Sequence, residues 1–131
     1  MHAIDRPKVM AASPDDLPDL VGLAVAYEWD SPAAAWLVPD VHSRPGVLMA
    51  WYAIQAEQAL RHGYVDMTRD RRAAAFWLDR SRPHRLPGNH LRRVTATCGR
   101  YAMVLLDYEQ LLVRHQPATG HLRLVTLAGD P

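Results

Sequence analysis

The stretch His121 to Pro131 constrains this chain more than any other. Leu122, Leu124 and Thr126 alternate with Arg123, Val125 and Leu127, a period of two rich in branched side chains. That pattern reads as a strand with at least one buried face. A lone strand cannot satisfy its own backbone, so the rest of the chain must supply partner strands and a layer that covers them. Ala128, Gly129, Asp130 and Pro131 read as a turn, which makes the strand look like the middle of a domain rather than its edge.

The preceding segments supply those partners. Lys8 to Ala12 is a short apolar run after Pro7 and reads as a first strand. Ser13, Pro14, Asp15 and Asp16 then form a helix start: Ser13 as N-cap, Pro14 at the first helical position, and acids in the first turn. Leu17, Leu20, Val21, Ala24 and Val25 continue it as one apolar stripe. From Glu28 to Pro45 the pattern breaks into an aromatic loop with a short helical turn from Ala33 to Val38. Val47, Trp51, Ile54 and Gln58 mark a second helix from about Arg44 to Arg61, with His62-Gly63 expected to close it through a left-handed glycine. Tyr64 to Met67 and Ala73 to Leu78 read as an antiparallel hairpin with a turn longer than two residues. Asp79 to Asn89 holds Pro83, Pro87 and Gly88 among arginines and reads as a surface linker. Leu91 to Thr97 has weak helical character before a break at Gly99. Tyr101, Val104, Leu105, Tyr108, Leu111 and Leu112 then repeat at helical spacing. The order is strand, helix, helix, strand, strand, helix, strand. It predicts an α/β (α+β) fold, a mainly antiparallel sheet of about four strands with three to four helices.

A chain of 131 residues suits a single domain, 1–131. Its 15 basic and 14 acidic residues nearly cancel, so no global field draws it to nucleic acid or to a membrane surface. One cysteine, Cys98, excludes an intrachain disulfide and points to a reducing compartment, the cytoplasm. Asp5 and Pro7 stand where a secretion signal needs an apolar core, and no apolar run of about 18 residues occurs.

Some residues admit a chemical reading beside a structural one. His121 has the right chemistry to take a proton from an amine, and is otherwise a surface histidine at a strand entry. Trp36, Trp77 and Tyr52, beside the acids and indole of Glu28, Trp29 and Asp30, would line a pocket for a cationic amine; the alternative is core packing. The other histidines show no metal-ligand spacing, so no metal is expected. Cys98 lacks a base partner and reads as a small helix residue. The basic run Arg80, Arg82, His84, Arg85, His90, Arg92 and Arg93 would touch phosphates or, more simply, face solvent.

Taken in order, several of these pieces resemble the amino-terminal half of a GNAT-superfamily, acyl-CoA-dependent N-acetyltransferase, in particular the actinobacterial puromycin-acetyltransferase-like group. The resemblance lies in Ala12-Ser13-Pro14-Asp15-Asp16-Leu17-Pro18, Ala35-Trp36-Leu37-Val38-Pro39-Asp40, Gly63-Tyr64-Val65-Asp66-Met67-Thr68, Ala73-Ala74-Ala75-Phe76-Trp77-Leu78 and Arg114-His115-Gln116-Pro117. It runs on through His121-Leu122-Arg123-Leu124 to Asp130-Pro131. It implies acetyl-CoA as cosubstrate and a small-molecule primary amine as acceptor. It also implies that the last strand lays Leu127, Ala128 and Gly129 along the pantetheine arm. In such enzymes a Gly-rich loop after the Asp-Pro binds the pyrophosphate; the sequence ends before that loop, so these residues are expected to form the acceptor-side half and to be inactive alone. The resemblance supplies no glutamate base on this strand. The alternative expectation is a non-catalytic GNAT-like module that self-associates, or binds a complementing chain, through its last strand.

Overall fold

The computed structural model describes residues 8–81, 86–117 and 119–129. Its elements are β1 (Val9–Ala11), α1 (Leu17–Glu28), α2 (Pro32–Leu37), α3 (Arg44–His62), β2 (Gly63–Thr68), β3 (Ala73–Asp79), α4 (His90–Cys98), α5 (Ala102–Arg114) and β4 (Leu122–Gly129). The fold is α+β, with four antiparallel strands in the order β1-β2-β3-β4. Among the described residues five helices form, the short α2 and the α4 segment adding to those expected. Ser31 promotes its turn to the helix α2 by accepting a hydrogen bond from Ala34 N–H at 3.1 Å, with Pro32 at the first position. The weak pattern before Gly99 becomes α4 because Val94 and Cys98 bury one face of it.

Ser13 acts as expected. Its N–H donates to Asp16 Oδ2 at 2.9 Å, capping a 3-10 turn at Pro14–Asp16 that runs into α1. Leu20, Val21 and Ala24 carry the buried stripe of that helix. At the end of α3 the expected left-handed cap is replaced by something else. Gly63 is extended, with φ −165°, and already begins β2. A Cβ there would overlap the Trp77 carbonyl oxygen and lie 2.9 Å from Leu78 Cα. Gly63 is required by a close strand contact. Among the described residues the left-handed glycine is Gly99, φ +58°, where α4 ends.

The hairpin of β2 and β3 aligns Val65 with Phe76 and Met67 with Ala74. Residues 69–72 connect the strands, longer than a two-residue turn as expected. Asp70 stabilises the turn by accepting from Thr68 Oγ1 at 2.7 Å and Arg72 N–H at 3.1 Å. Arg71 holds a left-handed backbone, φ 61°, and its Nη1 donates to Asp16 Oδ1 at 2.7 Å and Asp19 Oδ2 at 2.8 Å. The turn is thus tied to the start of α1.

Strand β4 departs from strict alternation. Thr126 stands opposite Phe76 and Leu124 opposite Trp77, which leaves Val125 as an extra residue, a β-bulge. Side-chain parity therefore slips by one. Arg123 shares the helix-covered face with Thr126 and Ala128, while Leu122, Leu124 and Leu127 point to the other face and are exposed. Ala128 and Gly129 belong to the strand, opposite Ala74 and Ala73, and not to a turn; Asp130 and Pro131 lie outside the described residues. Among the described residues β4 is an edge of the sheet rather than its middle.

Two apolar clusters fill the interior. One joins Leu37, Val38, Val47, Trp51, Ile54, Val94, Cys98, Ala102 and Leu105, and the other joins Leu20, Ala24, Ala56, Ala59, Val65, Met67, Ala74 and Phe76. Helix α3 contributes to both, and Tyr52 packs against both. The expected linker gives way to α4 at His90, which is buried against Glu109, while Arg93 is half-exposed and forks onto Glu57. Arg82, His84 and Arg85 lie outside the described residues. No helix among the described residues is long and apolar enough to cross a membrane.

Candidate acceptor-side pocket

Where α1, α2, α3, α5 and β4 converge, they enclose a cavity of about 120 Å³. The end of α1 contributes Glu28, and α2 contributes Ala33, Ala34 and Leu37. Helix α3 brings Leu48, Trp51, Tyr52 and Gln55 to the wall, because these follow one another at helical spacing on its inner face. Helix α5 brings Tyr108, Glu109 and Leu112, and β4 closes the floor with Arg123, Val125 and Thr126. The β4 bulge matters here. The slip at Val125 keeps Thr126 over Phe76 and also turns Arg123 toward the helices.

Arg44 fixes the loop that positions the α1 and α2 walls. It is buried, and its guanidinium donates to three carbonyl oxygens: Val38 at 2.8 Å, Trp29 at 3.3 Å and Pro39 at 3.3 Å. The same guanidinium lies 5.5 Å from the Trp29 ring centroid.

Polar chemistry concentrates in the cavity. Gln55 is only 7% exposed, and its amide nitrogen is buried without a hydrogen-bond partner. Glu109 Oε1 lies 3.0 Å from His90 Nε2, both side chains largely buried. Burial pushes the Tyr52 hydroxyl well above its ordinary range, helped by the negative charge of Glu28 and by Tyr108, so it stays protonated at neutral pH. Burial lowers the Arg123 pKa, and the positive charge of Arg80 lowers it further; Glu109 and Tyr108 act in the opposite direction. Such a set of polar groups on apolar and aromatic walls is the usual make-up of a small-molecule site.

Of the residues singled out in the sequence, the structure brings Glu28 and Tyr52 together here. The others stand elsewhere. Trp29 belongs to an outer groove between α1 and α3 with Val25, Pro45 and Met49. Trp36 is 68% exposed and Asp30 is exposed. Trp77 faces away from the cavity, on the uncovered side of the sheet opposite Tyr64 and Leu124. His121 precedes β4; its Nδ1 lies 2.8 Å from the Thr119 carbonyl oxygen, and its Nε2 is buried without a partner. Leu127 is 60% exposed, Ala128 is buried and Gly129 is half-buried on the β4 edge. Sequence reasoning missed Gln55, Tyr108, Glu109 and Arg123. A signal existed for Gln55, a polar residue one turn after Trp51 on the buried stripe, and for Glu109, one turn after Leu105. Among the described residues no group of three or more His, Cys, Asp or Glu side chains converges to hold a metal ion.

No family model matches the sequence, and no curated protein does. Among solved structures the chain is similar to one described as histone acetyltransferase HPA2 and related acetyltransferase, from Corynebacterium glutamicum ATCC 13032. The two share 24% identity and superpose with a TM-score of 0.69 over 95% of this chain and 60% of the other. The chain thus spans 60% of that protein's length and has, over nearly all of its described course, a GNAT-like α+β fold.

Proposed function

We propose that this chain forms the acceptor side of an acetyl-CoA-dependent N-acetyltransferase that modifies a primary amine of a small molecule. The observation that carries the reading is the cavity beside β4, lined by Glu28, Tyr52 and Gln55, in a chain whose fold is like that of an acetyltransferase. In the reaction the amine nitrogen bonds to the acetyl carbon, the carbon–sulfur bond breaks, the amine gives up a proton, and coenzyme A leaves as a thiolate that is then protonated. The chain's part is to hold the amine in line and take its proton. Glu28, in the cavity, fits that second task, and His121 is the other candidate. Leu127 to Gly129 would carry the pantetheine arm along the β4 edge. The narrower kinship with the puromycin-acetyltransferase-like group rests on the motif run alone.

Titrating acetyl-CoA into the isotopically labelled chain tests this reading. Amide shifts at Leu127, Ala128 and Gly129 are expected at millimolar ligand, with no turnover by these 131 residues alone. Shifts confined to other elements would remove the proposal. In any longer polypeptide that does turn over, Glu28→Gln and His121→Gln distinguish the two bases: the true base variant loses about a hundredfold in kcat.

A second reading is favoured by the sheet's uncovered side. Val9, Tyr64, Leu122, Leu124 and Leu127 are all exposed on that side, and among the described residues the outer edge of β4 pairs with no further strand. Pairing of β4 with a second copy, or with a complementing chain, would cover both. Light scattering across the micromolar range is expected to show a dimer that Leu124→Lys disperses; a strict monomer would sink it.

A further inference from the structure

We infer that the cavity takes a small zwitterion, an α-amino acid with an apolar side chain, its ammonium group at Glu28 and its carboxylate at Arg123. The inference rests on the acceptor-side reading above and narrows its substrate class.

The cavity carries two charges that are not joined to each other. The Glu28 carboxylate receives no hydrogen bond and forms no ion pair among the described residues, and neither does the Arg123 guanidinium. Their surroundings differ. Glu28 acts on Tyr52, whereas the charges that act on Arg123 are Arg80 and Glu109; Tyr108 borders both neighbourhoods. Glu109 is engaged with His90 at 3.0 Å and makes no ion pair with Arg123. The cavity is thus lined by a carboxylate from the end of α1 and a guanidinium from β4, with no ion pair between them among the described residues. A half-buried guanidinium beside a second cation is unfavourable until an anion reaches it, and a carboxylate matches its fork in two parallel hydrogen bonds. An ammonium group equally suits Glu28 and the neighbouring tyrosine rings.

Gln55 is the independent mark of a ligand. Its amide nitrogen is buried in the cavity wall without a partner, a penalty of about 1 to 3 kcal/mol that a bound acceptor oxygen would remove. Size and lining set the rest. A cavity of about 120 Å³ suits a ligand the size of an amino acid. Ala33, Ala34, Leu37, Leu48 and Val125 offer an apolar side chain its surroundings.

Calorimetry on the 131-residue chain with L-leucine, isoamylamine and isocaproate tests the inference, since the last two are leucine without its carboxylate and without its amine. Leucine is expected to bind, and each singly charged analogue to bind about tenfold or more weakly. Arg123→Gln should abolish the advantage of leucine over isoamylamine, and Arg123→Lys should restore part of it. Glu28→Gln should abolish the advantage over isocaproate. Circular dichroism of each variant separates loss of contact from loss of fold. If isoamylamine binds the unaltered chain as tightly as leucine, the zwitterion is wrong while the amine-acceptor reading stands. If none of the three binds, or the variants leave the preference unchanged, the inference falls. The acetyl-CoA titration is unaffected by either outcome.

Discussion

Gly63 and Gly99 show how one residue type answers two separate physical demands. Gly63 has ordinary extended backbone angles but no room for a Cβ, because β3 passes across it at Trp77 and Leu78. Gly99 has open space around it but a left-handed backbone. Substituting Gly63→Ala should therefore cost about 3 kcal/mol, since backbone must move, and Gly99→Ala about 1 kcal/mol, from strain alone. Urea unfolding of the two variants checks the order, and equal losses would mean the strand contact at Gly63 is slack. Sequence reasoning placed a glycine at the right position and gave it the wrong task, because a helix end followed by glycine is the usual sign of a cap and a long-range strand contact leaves no local signal. Cys98 was legible as it stands: a small residue in the helix, buried beside Val94 and Ala102. Burial pushes its thiol pKa up, so the thiolate is scarce at neutral pH. Iodoacetamide should modify it far more slowly in the native chain than in denaturant, by mass spectrometry; equal rates would mean the core at α4 opens readily.

Periodicity at the element scale revealed the helices but not always their inner face. Helix α5 was read with Leu111 on its stripe, yet Leu111 is 48% exposed while Ala102, Leu105 and Glu109 turn inward. The apolar repeat and the inward face differ by a partial turn because α5 borders a polar cavity, where Glu109 on the inner side has a partner in His90. The slip in β4 is the same kind of case. No residue type announces a bulge at Val125, and only pairing with β3 shows it. The aromatic residues of 28–36 were grouped by closeness in sequence, but the turn between α1 and α2 sends Trp29 and Trp36 away from Glu28. Arg44 holds that turn. Its removal in Arg44→Ala should cost about 3 kcal/mol, through the three carbonyls left without their charged donor. Arg44→Lys should lose less, because an ammonium group still offers a charged donor to one of these carbonyls, but it cannot restore full stability because it cannot span the same fork. Thermal unfolding gives both values, and a neutral Arg44→Ala would show that the loop is held by Asp40 and Ser43 instead.

Across the whole molecule, carboxylates sit where elements meet. Asp16 joins the start of α1 to the β2–β3 turn through the Ser13 N–H and Arg71. Asp40 accepts from Ser43 Oγ at 2.7 Å and His42 N–H at 3.1 Å ahead of α3. Glu57 pairs α3 with α4 through Arg93, and Asp70 shapes the hairpin turn through Thr68 and Arg72. In each case these hydrogen bonds hold the carboxyl below its ordinary range. A carboxyl whose folded pKa lies below its unfolded value releases its proton more readily in the native state. Its stabilisation is present above the unfolded pKa, about 4, and is lost as pH falls through the folded value. Stability should therefore hold level from pH 7 toward 5 and fall below about 4, as four junctions loosen over one interval. Asp16→Asn offers the sharpest check, because Asp16 receives both a backbone hydrogen bond and an arginine. That variant should be less stable at pH 7, and its stability should fall less steeply below pH 4 than that of the unaltered chain. Parallel curves from denaturant unfolding at each pH would mean that the junction of α1 with the hairpin does not depend on this charge.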